Sequence, residues 1–176
     1  MLDAGCGWGI ALNFLPRDCQ YFGFDPTQRF LQEIKKRHPH RKTNLQKGKL
    51  PNEIPSEFKK NSFDVVLNSM VLHCVKDLET SIKNLFSRVK PNGEVVLIDF
   101  NNSAENLIRE KFEDFEINEK NHLKGKYNLS EDKQIQGEVW LHQEQDLERE
   151  LQKYSSEFTK EMLGPIFVGY RGKKSN

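Results

Sequence analysis

Cysteine is scarce in this chain: three among 176 residues, at positions 6, 19 and 74, an odd number without CxxC spacing. That count excludes a disulfide framework and a cysteine-built zinc site, and it fits a reducing compartment. Net charge is almost lacking as well, with 27 Lys and Arg against 26 Asp and Glu. A balance near zero gives no general attraction to nucleic acid or to anionic lipid. No apolar run approaches the ~18 residues that span a bilayer, and no signal-peptide pattern follows Met1. These absences together predict a cytoplasmic protein with no membrane, nucleic-acid or metal partner. There is no repeat and no low-complexity segment, and the length predicts one domain over residues 1–176 that buries roughly 70% of its unfolded surface.

What is present begins at once. Leu2-Asp3-Ala4-Gly5-Cys6-Gly7-Trp8-Gly9 is a short apolar run that turns through three alternating glycines. Such a turn brings backbone amides against a ligand and points the next helix N-terminus at it. A dinucleotide fingerprint needs GxGxxG, but Ile10 stands where the third glycine belongs. The spacing therefore favours a ligand without a pyrophosphate. Only Met1 to Ala4 precede the turn, fewer than the ~5 or 6 residues of an ordinary strand, so the numbered chain reads as a fragment or a trimmed relative.

The rest of the first hundred residues alternates strands with helices. A short helix is expected over 9–15, with Ile10, Leu12, Phe14 and Leu15 as apolar contacts and Pro16 ending it. Gln20 to Phe24 reads as a buried strand. A helix opens at Pro26-Thr27, with Phe30, Leu31 and Ile34 on one face and Lys35, Lys36 and Arg37 in solvent. Residues 43–47 form a polar edge strand, and Phe63 to Leu67 a strand covered on both faces. Asp77 caps a helix carrying Leu78, Ile82, Leu85, Phe86 and Val89, before Pro91-Asn92-Gly93 turns into a strand from Val95 to Phe100. This pattern predicts an α/β, Rossmann-like, doubly wound and mostly parallel sheet with its site beyond the C-terminal strand ends.

Beyond residue 100 the composition turns to Asn, Glu and Lys. A helix near 104–113 is expected, then a mobile excursion, a hairpin pairing Tyr127–Leu129 with Ile135–Leu141, and a helix from Glu144 to Tyr154. An antiparallel hairpin over Phe158–Leu163 and Ile166–Tyr170 closes the chain. Arg171, Lys173 and Lys174 read as a solvated tail.

Four stretches, LDAGCGWG, YFGFDP, FDVVLNSMVLHCV and LFSRVKPNGEVVLIDF, fall in one order and resemble the motifs of the class I S-adenosylmethionine-dependent methyltransferases. The resemblance spans most of residues 1–100. It implies a seven-stranded sheet, with 1–100 as the cofactor-binding half, 101–142 as an inserted lid over the acceptor and 143–176 as a helix and closing hairpin. It also implies S-adenosylmethionine as cofactor and a small-molecule acceptor. In that frame Gly5, Gly7 and Gly9, with Ala4 and Cys6 between them, approach the methionyl part and Asp3 favours its ammonium. Asp25 accepts the ribose hydroxyls, Pro26 flanks the adenine and Leu50 offers it apolar contact, although Lys49 stands where the family often has an acid. Asn68 and Ser69 line the methyl-donor side.

His73 and His142 are candidate bases, and Tyr127 and Trp140 candidate walls of an acceptor pocket. Each has a plain alternative. Asp25 can simply cap the next helix, Asp3 anchor the turn, the histidines start helices, and the aromatics pack in the core. Adjacent side chains point apart, so Cys74 and His73 are not read as a nucleophilic pair. Two other functions stay open: a truncated S-adenosylmethionine-binding module without turnover, and an NAD(P)-dependent oxidoreductase.

Overall fold

A computed structural model describes residues 1–118, 122–130 and 133–175, with side-chain surroundings for 1–108 and 138–175. The strands β1 (Leu2–Ala4), β2 (Tyr21–Asp25), β3 (Thr43–Lys47), β4 (Phe63–Ser69), β5 (Val89–Phe100), β9 (Ser155–Met162) and β10 (Phe167–Lys174) make one seven-stranded sheet. Its order is β3-β2-β1-β4-β5-β10-β9. The first five strands are parallel, and β10 runs antiparallel to both β5 and β9. This is the predicted architecture. Order reverses between β1 and β4, so the crevice expected of an open α/β sheet lies there.

Helix α1 (Gln28–Arg37) follows β2 and α2 (Leu78–Arg88) precedes β5. Each buries most of the stripe its spacing predicts: Leu31 and Ile34 on α1, with Phe30 half-buried, and Leu78, Ile82, Leu85 and Phe86 on α2, while Val89, expected on that helix, begins β5 instead. Asp77 caps α2, its side chain accepting the Thr80 N–H at 2.9 Å. Both faces of the sheet are covered. Tyr21, Leu12, Leu31 and Ile34 fill one apolar cluster, and Leu2, Val66, Val95, Leu97, Leu85 and Leu151 belong to another. No helix among the described residues is long and apolar enough to cross a membrane.

Three expectations need correction. The helix over 9–15 is only a 3-10 turn, Ile10–Asn13, and of its four apolar contacts Leu12 alone is buried while Ile10 and Phe14 are exposed. Instead, Arg41 donates to the carbonyls of Leu12, Leu15 and Pro16 and holds the turn down from outside. Residues 112–118, expected as the end of a helix and the start of an excursion, form β6 (Phe112–Asn118), which pairs with β7 (His122–Ser130); β8 (Lys133–Trp140) completes a three-stranded antiparallel sheet. It lies in sequence between α3 (Ala104–Lys111) and α4 (Glu144–Gln152). The solvated tail is strand, within β10: the Arg171 side chain pairs with Glu94, and Lys174 Nζ donates to the Val89 carbonyl.

Candidate functional site

The glycine turn is stitched to the end of β2, because the N–H groups of Gly5 and Cys6 both donate to the Phe24 carbonyl, at 2.8 and 2.9 Å. All three glycines have positive φ, +80° at Gly5, +48° at Gly7 and +71° at Gly9, yet they serve different ends. A Cβ at Gly5 would lie 2.4 Å from a Val71 methyl and one at Gly9 2.8 Å from Ile34, so these two let the protein pack on itself. A Cβ at Gly7 would meet nothing within 4 Å. Gly7 is the position whose missing side chain leaves space for a guest.

That space is a cleft of about 680 Å³ at the C-terminal strand ends. Asp3, Gly5, Cys6, Gly7, Asp25, Pro26, Leu50 and Ser69 all line it, so eight of the positions chosen from sequence meet in one place. Ala4, Gly9 and Asn68 do not form its wall. Ala4 and Asn68 are fully buried, and Asn68 donates its side-chain amide to the Ala4 carbonyl at 2.7 Å, bridging β1 and β4 where their backbone pairing stops. Trp8 stands at the cleft, packed on Phe30 with ring centroids 4.2 Å apart and with the Arg37 guanidinium over its ring. Lys49 lines the cleft beside Leu50. Sequence reasoning missed Met70 and Val71. Their signal is the residue after a buried strand, where Met70 takes a left-handed backbone (φ 58°) to turn the chain into the cleft wall.

Three buried acids sit at the strand ends and differ in how they are held. Asp25 accepts the Gly7 N–H through Oδ2 at 3.0 Å and the Thr27 N–H through Oδ1 at 2.8 Å, so it clamps the glycine turn and also starts α1. Asp99 accepts three donors: the His73 N–H, His73 Nδ1 and the Phe100 N–H. Asp3 has one, the Tyr21 hydroxyl at 2.6 Å. Burial therefore pushes the Asp3 carboxyl up to about 6, the Tyr21 bond opposing that rise and the nearby Asp25 charge adding to it.

Residues 2–95, more than half of the chain, match the family described as a methyltransferase domain. The chain belongs to this methyltransferase family.

Solved structures agree on the fold. The PH0226 protein of Pyrococcus horikoshii superposes with a TM-score of 0.77 at 17% identity, over 99% of this chain and 82% of that one. A Methanosarcina mazei protein described as a SAM-dependent methyltransferase gives 0.75 at 20% identity, over 99% and 91%. DhpI, solved with SAH, gives 0.69 at 17% identity, over 99% and 76%. A stretch of 50 residues is 40% identical to the hybrid PKS-NRPS synthetase iccA of Talaromyces variabilis, which is 27% of this chain and 1% of that protein's length.

Beside the main cleft of this methyltransferase-family chain lies a cavity of about 20 Å³, room for roughly one water. His73, Asp99, Phe100, Asn101, Trp140 and His142 are in its wall. Three candidates picked apart in sequence thus face one void, because β8 packs on the turn Leu72–Cys74. Each has a definite partner. His142 donates through Nε2 to the Val75 carbonyl at 2.7 Å, which makes it a tether between the inserted sheet and the loop after β4. His73 is largely buried, which disfavours its charge, but the Asp99 carboxylate at 2.8 Å and, after it, the neighbouring Cys74 sulfur together outweigh that and raise the ring to about 10. At neutral pH the ring is an imidazolium and donates rather than accepts. Trp140 packs under the Lys76 ammonium, 5.5 Å from the ring centroid. Tyr127 lies on β7 opposite Phe112 and Ile135, and its side chain is outside the described residues.

Proposed function

We propose that the chain is a single methyltransferase domain that binds S-adenosylmethionine in the main cleft and transfers its methyl group to a small-molecule acceptor. The observation that carries this reading is the pair of carboxylates, Asp3 and Asp25, that line one cleft together with the open position at Gly7. The donor set fits the molecule. Asp25 keeps acceptor capacity for a ribose diol after taking two backbone amides, Asp3 faces an ammonium with its under-satisfied carboxyl, and Leu50 and Pro26 give an apolar slot for adenine. The 40% identity over 50 residues to a hybrid PKS-NRPS synthetase supports an acceptor of the small-molecule kind.

When bound, the cofactor supplies a methyl group on a sulfonium, a leaving group that needs no activation by the protein. What the chain's own residues do is hold, orient and exclude water. The inserted sheet is tied by His142 to the loop after β4. His73, fixed by Asp99 and packed 4.9 Å from the Phe100 ring centroid, is held in the wall of the small cavity beside the cleft as a hydrogen-bond donor. The reading favours an acceptor whose nucleophilic atom is already unprotonated at neutral pH, such as a carboxylate.

Calorimetric titration with S-adenosylhomocysteine and with NADH tests the first half of the proposal. Binding of the first and not the second is expected, and the reverse would end it. Transfer from methyl-labelled S-adenosylmethionine to a panel of small amines and carboxylates tests the second half.

A further inference from the structure

Among the three strand-end acids, Asp3 is the one whose state the fold leaves unfinished. It is 4% exposed, yet the Tyr21 hydroxyl is the one hydrogen-bond donor that meets it among the described residues. A buried carboxylate normally collects two or three donors, as Asp25 and Asp99 do, because an ionised oxygen taken out of water is costly unless it is bonded. Tyr21 is itself 1% exposed and stands at the start of β2, the strand beside β1, two residues before Gly23, the register partner of Asp3. Its hydroxyl engages Oδ2, and Asp3 is at the same time part of the cleft wall. The site therefore holds an acid with one oxygen fixed from behind and one lacking a donor, at the edge of an open cleft.

We propose that Tyr21 is a positioning residue for the amino-acid tail of the ligand: by bonding Oδ2 it holds the Asp3 carboxylate for the ligand's ammonium, and it makes binding of that tail depend on a proton. This rests on the reading of the cleft as an S-adenosylmethionine site. The groups that face Asp3 are Tyr21 from β2, Asp25 at the end of β2 and the Cys6 thiol in the glycine turn. No cation is among them. The ligand's ammonium supplies the missing countercharge, so a proton on Asp3 must leave before the tail can pair.

The sign follows from Asp3 being raised, to about 6. Below that pH the free carboxyl is protonated and ammonium binding must expel the proton, whereas above it the carboxylate is ready. Removing Tyr21's hydroxyl takes away the bond that favours the carboxylate, which moves the midpoint further up.

The test compares two ligands that share adenosine and sulfur but differ in the tail: S-adenosylhomocysteine, which has the ammonium, and 5′-methylthioadenosine, which does not. Each is titrated calorimetrically from pH 5 to 8 into the full chain, in two buffers of different ionisation heat. The homocysteine adduct should bind about 10-fold more weakly at pH 5 than at pH 7.5, with proton release at low pH, while methylthioadenosine stays flat. Tyr21→Phe should weaken the first ligand by about 10-fold at pH 7 and shift its midpoint upward, with the second unchanged. Asp3→Asn should make the first ligand weak and independent of pH. The proposal is overturned if Tyr21→Phe weakens both ligands equally, which marks damage to the fold, or if it leaves the homocysteine adduct's affinity and midpoint unchanged. It is overturned also if pH affects both ligands alike, which places the titrating group outside the contact with the tail. Failure of both ligands to bind the wild-type chain at every pH instead overturns the reading of the cleft itself.

Discussion

Replacing Asp25 with Ala separates two roles that one side chain combines. In the free protein the carboxylate takes the Gly7 N–H at 3.0 Å and the Thr27 N–H at 2.8 Å. A hydrogen bond to a charged group contributes about 1.5 to 3 kcal/mol, but Thr27 is exposed and Gly7 partly so, and water replaces much of what is lost, leaving about 1 kcal/mol for each. The folding loss is then about 2 kcal/mol, or roughly 4 to 8 °C in Tm for a chain of this size. The ribose adds a separate term. Two charge-assisted bonds to its hydroxyls are worth about 2 to 4 kcal/mol, so affinity for S-adenosylhomocysteine should fall roughly 30-fold to 1000-fold. Calorimetric melting of the free protein and titration at a temperature where both variants are folded measure the two terms independently. A lowered Tm with unchanged affinity would refute the diol-clamp assignment and leave Asp25 as a clamp of the glycine turn.

Other outcomes follow from the same geometry. Gly5→Ala drives a Cβ to 2.4 Å from Val71 at φ +80°, and overpacking plus the left-handed penalty should cost about 2 to 5 kcal/mol in denaturant unfolding. Gly7→Ala meets no protein atom within 4 Å, so it should cost only about 1 kcal/mol of stability yet abolish ligand binding by titration; normal binding would show that Gly7 does not face the guest. The His73–Asp99 pair has a folded-state pKa raised from 6.5 to about 10. Its contribution is therefore complete below pH 6.5 and lost as pH rises towards 10, and Asp99→Asn should flatten that decline in urea midpoints measured across the range. His142→Ala frees the Val75 carbonyl and should cost about 1 kcal/mol, with faster amide exchange in residues 71–76 as the local sign.

Much of the architecture was legible because it is written in local patterns. The Asp77 cap, the helical stripe from Leu78 to Phe86 and the β-branched run of β4 each depend on neighbours within a few residues, and they formed where expected. The turn over 9–15 was misjudged because its stability comes from Arg41, some 25 to 29 residues away in sequence. Strand β6 was missed because its polar composition carries little strand signal, and pairing with β7 decides it.

The chain by itself determined the order of elements, the glycine turn and the acids at the ends of β1 and β2, since spacing and residue type settle backbone conformation and which groups can meet a cation or a diol. The tertiary structure alone decided which of those groups remain open. It turned Gly5 and Gly9 to packing and left Gly7 to the cleft, buried Asn68 against Ala4, gave Asp99 three donors and Asp3 one, and set His73 against the Asp99 carboxylate, which favours its charged form. The reason is that burial and hydrogen-bond partners come from strands far apart in sequence, and these, not the residue's identity, set where a proton resides and which oxygen is left to bind.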